Sequence, residues 1–135
     1  MTNEHLKYAE ITFGVIGAAI AVHKALGNGF QEMIYQRALE IEMQEEQITF
    51  TREHEMHIYY RNQIIGSRRV DFLIKGIISV EIKAITKLED VHIAQAMNYL
   101  EVYNLEVGLL INFGEPSLHF KRFTNKKYKP FLTIP

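Results

Sequence analysis

The sequence predicts an α/β protein, one mixed central sheet with helices on both faces, in the order helix-helix-strand-strand-strand-helix-strand-strand. Three observations carry that reading. Two segments of helical apolar period meet at Leu26-Gly27-Asn28-Gly29, which makes a helical hairpin. Two runs of β-branched and aliphatic residues meet at Lys75-Gly76, which makes a β-hairpin. A third helical segment, about Val91 to Tyr103, separates two apolar runs and supplies the crossover that a parallel strand pair needs. At 135 residues the chain is one domain's worth, so residues 1–135 are expected to form a single domain.

Taken in order, the first helix is expected over about Leu6 to Leu26, with Ile11, Val15, Ala18, Ala19, Val22 and Leu26 recurring at threes and fours. The glycine cluster after Leu26 suits a left-handed C-terminus. The second helix, about Gln31 to Gln47, is expected to bury Ile34, Ala38, Leu39 and Ile41 or Met43, and to expose Glu40, Gln44, Glu45 and Glu46. Residues 48 to 60 are β-prone, with Arg52, His54 and His57 read as solvated or as lining a groove. A turn at Arg61-Asn62-Gln63 leads into the strand that carries Asp71. Leu105 to Phe113 is short and nearly all apolar, as a strand covered on both faces should be. Gly114-Glu115-Pro116 turns the chain into a last alternating strand, Leu118 to Phe123.

Composition narrows the functional classes. The chain is 47% hydrophobic and 23% charged, an ordinary globular balance. With 15 Lys and Arg against 16 Asp and Glu there is no global basic field, so any nucleic-acid contact has to come from a local patch. The best candidate is the stretch holding Lys121, Arg122, Lys126, Lys127 and Lys129, which has no acid in it. Zero cysteines exclude a disulfide scaffold and a thiolate zinc site. The longest apolar run, Phe13 to Val22, is short for a bilayer and lacks the flanks of a secretory leader. The expectation is a cytoplasmic protein with no membrane partner.

Chemistry concentrates in the β-hairpin. Glu81 and Lys83 are two apart and share one strand face. If the turn holds an odd number of residues, for instance 75 to 77, Asp71 lies directly across from Glu81; with an even turn the two are diagonal neighbours unless a bulge restores the match. Two carboxylates and an ammonium then converge among Ile, Val, Leu and Phe. One explanation is a structural ion pair, which leaves Asp71 without a purpose and rarely repays its desolvation. The other is a divalent metal held by Asp71, Glu81 and a backbone carbonyl, most naturally that of Ile82.

Asp71 followed by Glu81-Ile82-Lys83 resembles the D…(D/E)xK signature of the PD-(D/E)XK nuclease superfamily, with Val70 in the place of the proline. Gly29, Glu32 and Tyr35 spell GxxExxY, and with His23 and Leu26-Gly27-Asn28-Gly29-Phe30 they are similar to the opening segment of the family named for that pattern. Gln95-Ala96-Met97-Asn98-Tyr99 resembles the QxxxY pair of the RecB-like branch. The resemblance runs from about Ile16 to Arg122.

It implies a restriction-endonuclease-like domain that hydrolyses phosphodiesters, DNA foremost, with Mg²⁺ or Mn²⁺ on Asp71, Glu81 and the Ile82 carbonyl. Glu32 would complete the metal site, directly or through water. Lys83 would orient the attacking water, and Gln95 and Tyr99 would position water or phosphate. One of Arg68 and Arg69 would face phosphate and the other solvent, while His23, Tyr35 and His92 are accessory candidates. A silent nucleic-acid-binding module or a protein-interaction subunit on the same fold is the alternative. A homo-oligomer or a place in a larger complex is compatible with either.

Overall fold

The computed structural model describes residues 7–130. Two helices come first, α1 (Ala9–Leu26) and α2 (Glu32–Glu45), followed by three strands, β1 (Phe50–Tyr60), β2 (Gln63–Ile74) and β3 (Ile78–Lys83). Helix α3 (Asp90–Val102) then precedes β4 (Val107–Asn112) and β5 (His119–Thr124). The expected element order is the observed one. The expected start of the first helix, Leu6, lies outside the described residues.

The five strands form one sheet in sequence order, β1-β2-β3-β4-β5. Only β3 and β4 run parallel, because α3 returns the chain to the starting edge of the sheet between them. Alternate residues of the central strands face opposite layers. Val80, Ile82, Leu109 and Ile111 pack with α1 and α2, whereas Leu110 packs with Ala96 and Leu100 of α3. Both faces of β4 are therefore dry, which explains its unbroken apolar sequence.

Helix α1 is long and apolar enough, by length and composition, to cross a membrane, so the shortness of the Phe13–Val22 run does not exclude it. Its buried residues, Thr12, Val15, Ile16, Ala18, Ala19 and Val22, lie in the core beside α2 and the sheet. The helix ends on Gly27 at φ 75° and ψ −161°, a conformation that only glycine adopts readily and not the left-handed one expected.

The buried face of α2 differs from the expected one. Tyr35, Gln36, Leu39 and Met43 point inward, while Ile34 and Ile41 are exposed. An apolar-stripe reading turns the helix so that Ile34 is covered. The fold turns it the other way, since Tyr35 and Gln36 both have polar partners to reach inside.

At the other end of the sheet Asn112 is fully buried and acts as a brace. It accepts the N–H of Ile85 at 3.0 Å, and its amide donates to the Ile85 carbonyl and the Glu115 carboxylate at 3.0 and 2.7 Å. The segment leaving β3 is thereby tied to the end of β4. Gly114 is obligatory at this crossing, because a Cβ there would stand 2.3 Å from the Ile85 carbonyl oxygen.

Candidate active site

The β2–β3 turn is Lys75-Gly76-Ile77, with Ile74 opposite Ile78, Leu73 opposite Ser79 and Phe72 opposite Val80. Its odd length sets Asp71 in line with Glu81, one step beyond the last rung. The backbone ladder stops at that rung. Strand β2 carries on with β1 alone, so β2 and β3 part like a fork. In the crotch of this fork the Asp71 side chain takes over from the ladder, and its Oδ2 accepts the Ile82 N–H at 2.7 Å. A strand residue points its N–H and C=O to the same side, so the Ile82 carbonyl is aimed at the fork as well.

Asp71 has a second donor that the sequence did not reveal. Gln36, only 3% exposed, donates its amide to Asp71 Oδ1 at 2.9 Å. Arg52 in turn donates to Gln36 Oε1 at 2.8 Å and to Glu40 Oε2 at 3.2 Å. Arg52 is thus a structural cation rather than a solvated one. Gln36 lies one turn after Glu32 and next to Tyr35, and that proximity was the one signal available.

Glu81 is buried, on the sheet face that α3 covers. Its Oε1 receives Arg68 Nη1 at 2.5 Å. The guanidinium carbon of Arg68 stands 4.1 Å from the centre of the Tyr99 ring, a cation–π contact. Tyr99 itself stacks on Tyr103 at 5.8 Å, and the buried Tyr103 hydroxyl stands beside Arg68. Arg69, the neighbour of Arg68, is mostly exposed and reaches only Glu53, at 3.9 Å. Arg68 thus points inward, to Glu81, and Arg69 outward.

Charge in the cleft is unbalanced. Burial pushes the Glu81 carboxyl up to about 7; Arg68 pulls against this and Asp71 adds to it. Burial also opposes the charge on Arg68, but Glu81 outweighs it and the guanidinium is held more firmly protonated than usual. Glu32, in the first turn of α2, is raised by burial and by Asp71, while Lys83 and Arg68 draw it down. Glu32 therefore feels the charges of Asp71, Lys83 and Arg68, and Glu81 those of Arg68 and Asp71. Among the described residues no three acid or histidine side chains stand ready to hold an ion as they are. The donor chemistry suits a hard divalent cation nonetheless: carboxylates and a carbonyl, with Glu81 turned to Arg68.

Helix α3 closes the other wall. Arg68, Glu81, Lys83, His92, Gln95, Ala96, Tyr99 and Leu110 line a narrow space of about 10 Å³. Gln95 and Tyr99 share this wall, as their i, i+4 spacing requires. His92 lines it too, and its Nδ1 accepts the Glu89 N–H at 3.0 Å, so the ring also fixes the start of α3.

Other candidates have structural engagements. Tyr35 donates its hydroxyl to the Gly27 carbonyl at 2.6 Å, receives the Phe30 N–H at 3.1 Å and stacks on Phe113 at 4.7 Å. It pins the loop that sets where α2, and hence Glu32, begins. His23 Nε2 lies 2.9 Å from the Glu115 carbonyl oxygen, tying α1 to the β4–β5 loop. The basic residues near the C-terminal end do not gather into one patch. Leu110 pairs with both Glu81 and Lys121, which puts Lys121 on the cleft side of the sheet. Arg122 is on the opposite face and donates to the Lys7 carbonyl. Lys127 lies 3.8 Å from Glu101, and Lys126 is exposed.

Residues 9–123, from the first turn of α1 to β5, match the profile of the PD-(D/E)XK nuclease superfamily. The chain belongs to that superfamily. As in other PD-(D/E)XK chains, its sheet and helices form a restriction-endonuclease-like α/β fold. Among solved structures, the crystal structure of SSO0001 is similar, with a TM-score of 0.53 and 19% identity over 89% of this chain. At that identity the likeness is one of fold. The chain spans 61% of that protein's length. No curated protein matches it.

Proposed function

We propose that this PD-(D/E)XK chain is a metal-dependent nuclease that hydrolyses phosphodiester bonds, with DNA the foremost substrate. The observation that carries the reading is the fork: Asp71 bonds the backbone of Ile82, the residue between Glu81 and Lys83. Asp71, Glu81 and the Ile82 carbonyl would hold Mg²⁺ or Mn²⁺, and Glu32 would join them directly or through a water. Such an ion supplies an activated water and offsets the charge of the transition state.

The chain's own residues do the remaining work. Lys83, on the strand face of Glu81, orients the attacking water and adds positive charge beside the scissile phosphate. Gln95 donates or accepts at the same wall to place the water or a phosphate oxygen. Glu32 enters from α2, at a point fixed by the Tyr35 clasp. The spacing of Gly29, Glu32 and Tyr35, and of Gln95 and Tyr99, supports membership of the GxxExxY family and its RecB-like QxxxY wall.

A second reading, a silent nucleic-acid-binding module, is favoured by one observation: Arg68 holds Glu81. One experiment separates the two. Linear and circular DNA, single strands, branched DNA and RNA are incubated with Mg²⁺, Mn²⁺ or EDTA, using wild type and Glu81→Ala. Cutting that needs metal and is lost in the variant is the expected result. Equal inertness of both proteins, with substrate still bound, would establish the silent module instead.

A further inference from the structure

We propose that Arg68 is a phosphate-binding residue held in reserve on a metal ligand: its guanidinium neutralises Glu81 until a divalent cation takes its place, and Tyr99 then keeps it beside the cleft to meet a substrate phosphate. This rests on the metal-dependent reading above.

Three observations converge on it. The contact between Arg68 and Glu81, 2.5 Å, is that of a fully formed charge-assisted bond. It uses the carboxylate that the metal needs, so the ion and Arg68 compete for one ligand. A cation seated on Glu81 Oε1 would stand where the guanidinium now is, so something in the cleft has to move. Arg68 is the group free to do so. It enters from the part of β2 that has left β3, and it combines a long flexible stem with a bond to Glu81.

The platform explains where it goes. The Tyr99 ring lies 4.1 Å from the guanidinium and is itself backed by Tyr103. Tyr99 holds the guanidinium by its charge, and a guanidinium N–H fork is what recognises phosphate oxygens in pairs. When Glu81 turns to a cation, Arg68 keeps its stacking partner and exchanges one anion for another. The arrangement also protects Glu81 in the absence of metal, since a buried carboxylate without a partner is costly.

The test is a calorimetric titration of Mn²⁺ into wild type, Arg68→Gln and Arg68→Lys. Arg68→Gln is expected to bind Mn²⁺ about tenfold more tightly than wild type. Arg68→Lys keeps the charge but loses the fork and the stack, and is also expected to gain affinity; a purely electrostatic effect of the charge would leave it unchanged. If Arg68→Gln does not fold, the lysine variant decides alone. Equal Mn²⁺ affinity in wild type and variants overturns the inference and leaves the metal site standing. No Mn²⁺ binding by any of the proteins overturns the metal reading and this inference with it.

Binding of a short DNA duplex gives the second readout. In Ca²⁺, Arg68→Gln is expected to lower the slope of log affinity against log salt by about one phosphate contact, and in EDTA to leave it unchanged. A slope equally reduced in both conditions, or in neither, would show that Arg68 is not released by the cation.

Discussion

Gln36 donates its side-chain amide to Asp71 at 2.9 Å, and Arg52 grips the other end of the same amide at 2.8 Å. A guanidinium can only donate, so it draws the amide oxygen to itself and leaves the NH₂ group facing Asp71. Glu40 holds the guanidinium from behind. The first acid of the D…ExK signature is thus oriented by three side chains that the signature does not include.

Gln36→Leu keeps the volume and removes both hydrogen bonds. Mn²⁺ affinity is expected to fall about tenfold, as for other residues that orient a metal ligand. Stability is expected to fall by about 1–3 kcal/mol, because Arg52 and Asp71 lose a buried partner. Calorimetry and urea unfolding measure the two effects. A stability loss with unchanged Mn²⁺ affinity would reduce Gln36 to a packing residue.

Tyr35→Phe retains the stack on Phe113 and loses the clasp on Gly27 and Phe30. Each lost bond is expected to cost about 0.5–1.5 kcal/mol, a drop of several degrees in Tm. Cleavage should weaken as well, since Glu32 begins from that loop. A variant that melts lower yet cuts at the wild-type rate would separate the clasp from the site.

The pH dependence follows from Glu81. Its carboxyl is raised from the usual 4.5 to about 7 in the folded protein, so between those values the folded state holds a proton that the unfolded chain has released. The resulting stability is complete below the unfolded value and is lost as pH rises through about 7. Metal binding needs the ionised form and runs the other way. The rise in Tm produced by Mn²⁺ should grow from about pH 6 to about pH 8 in wild type, with the steepest change near 7. A flat profile would mean that Glu81 is ionised throughout, or is not a ligand.

Gly114→Ala forces a methyl group to within 2.6 Å of backbone atoms of Ala84 and Ile85. No flexible side chain is there to yield, so the strand ends must move apart, at a cost of about 1–3 kcal/mol. The displacement falls on the Asn112 brace and, through it, on Lys83. Denaturant midpoints should drop and residual cleavage should fall together.

The alignment of Asp71 with Glu81 was legible in the sequence because its cause is local. Alternation places Glu81 and Lys83 on one face, and an odd turn lines Asp71 up with them. The α3 wall was equally legible, since Gln95 and Tyr99 are one helical turn apart. The roll of α2 was not. Periodicity favours burying Ile34, and only tertiary partners, Gly27 and Phe30 for Tyr35 and Asp71 for Gln36, reverse it. The basic stretch misled for a related reason: composition joins Lys121 and Arg122, whereas the strand sends them to opposite faces. Arg52 looked solvated because its partners, Gln36 and Glu40, lie on another element.

The parallel seat of β3 on β4 bears on the order of events during synthesis. Leu110 apart, every residue assigned to the cleft, from Glu32 to Tyr99, is translated before β4 (Val107–Asn112), the strand that lies beside the whole length of β3. A nascent chain holding Asp71, Glu81, Lys83 and even α3 has β1, β2 and β3 in antiparallel order and no partner for the far edge of β3. With only three rungs to β2, β3 is weakly held until then, and a parallel pair forms only after its crossover has been made. The β3 side of the cleft should therefore become ordered only once β4 has been made.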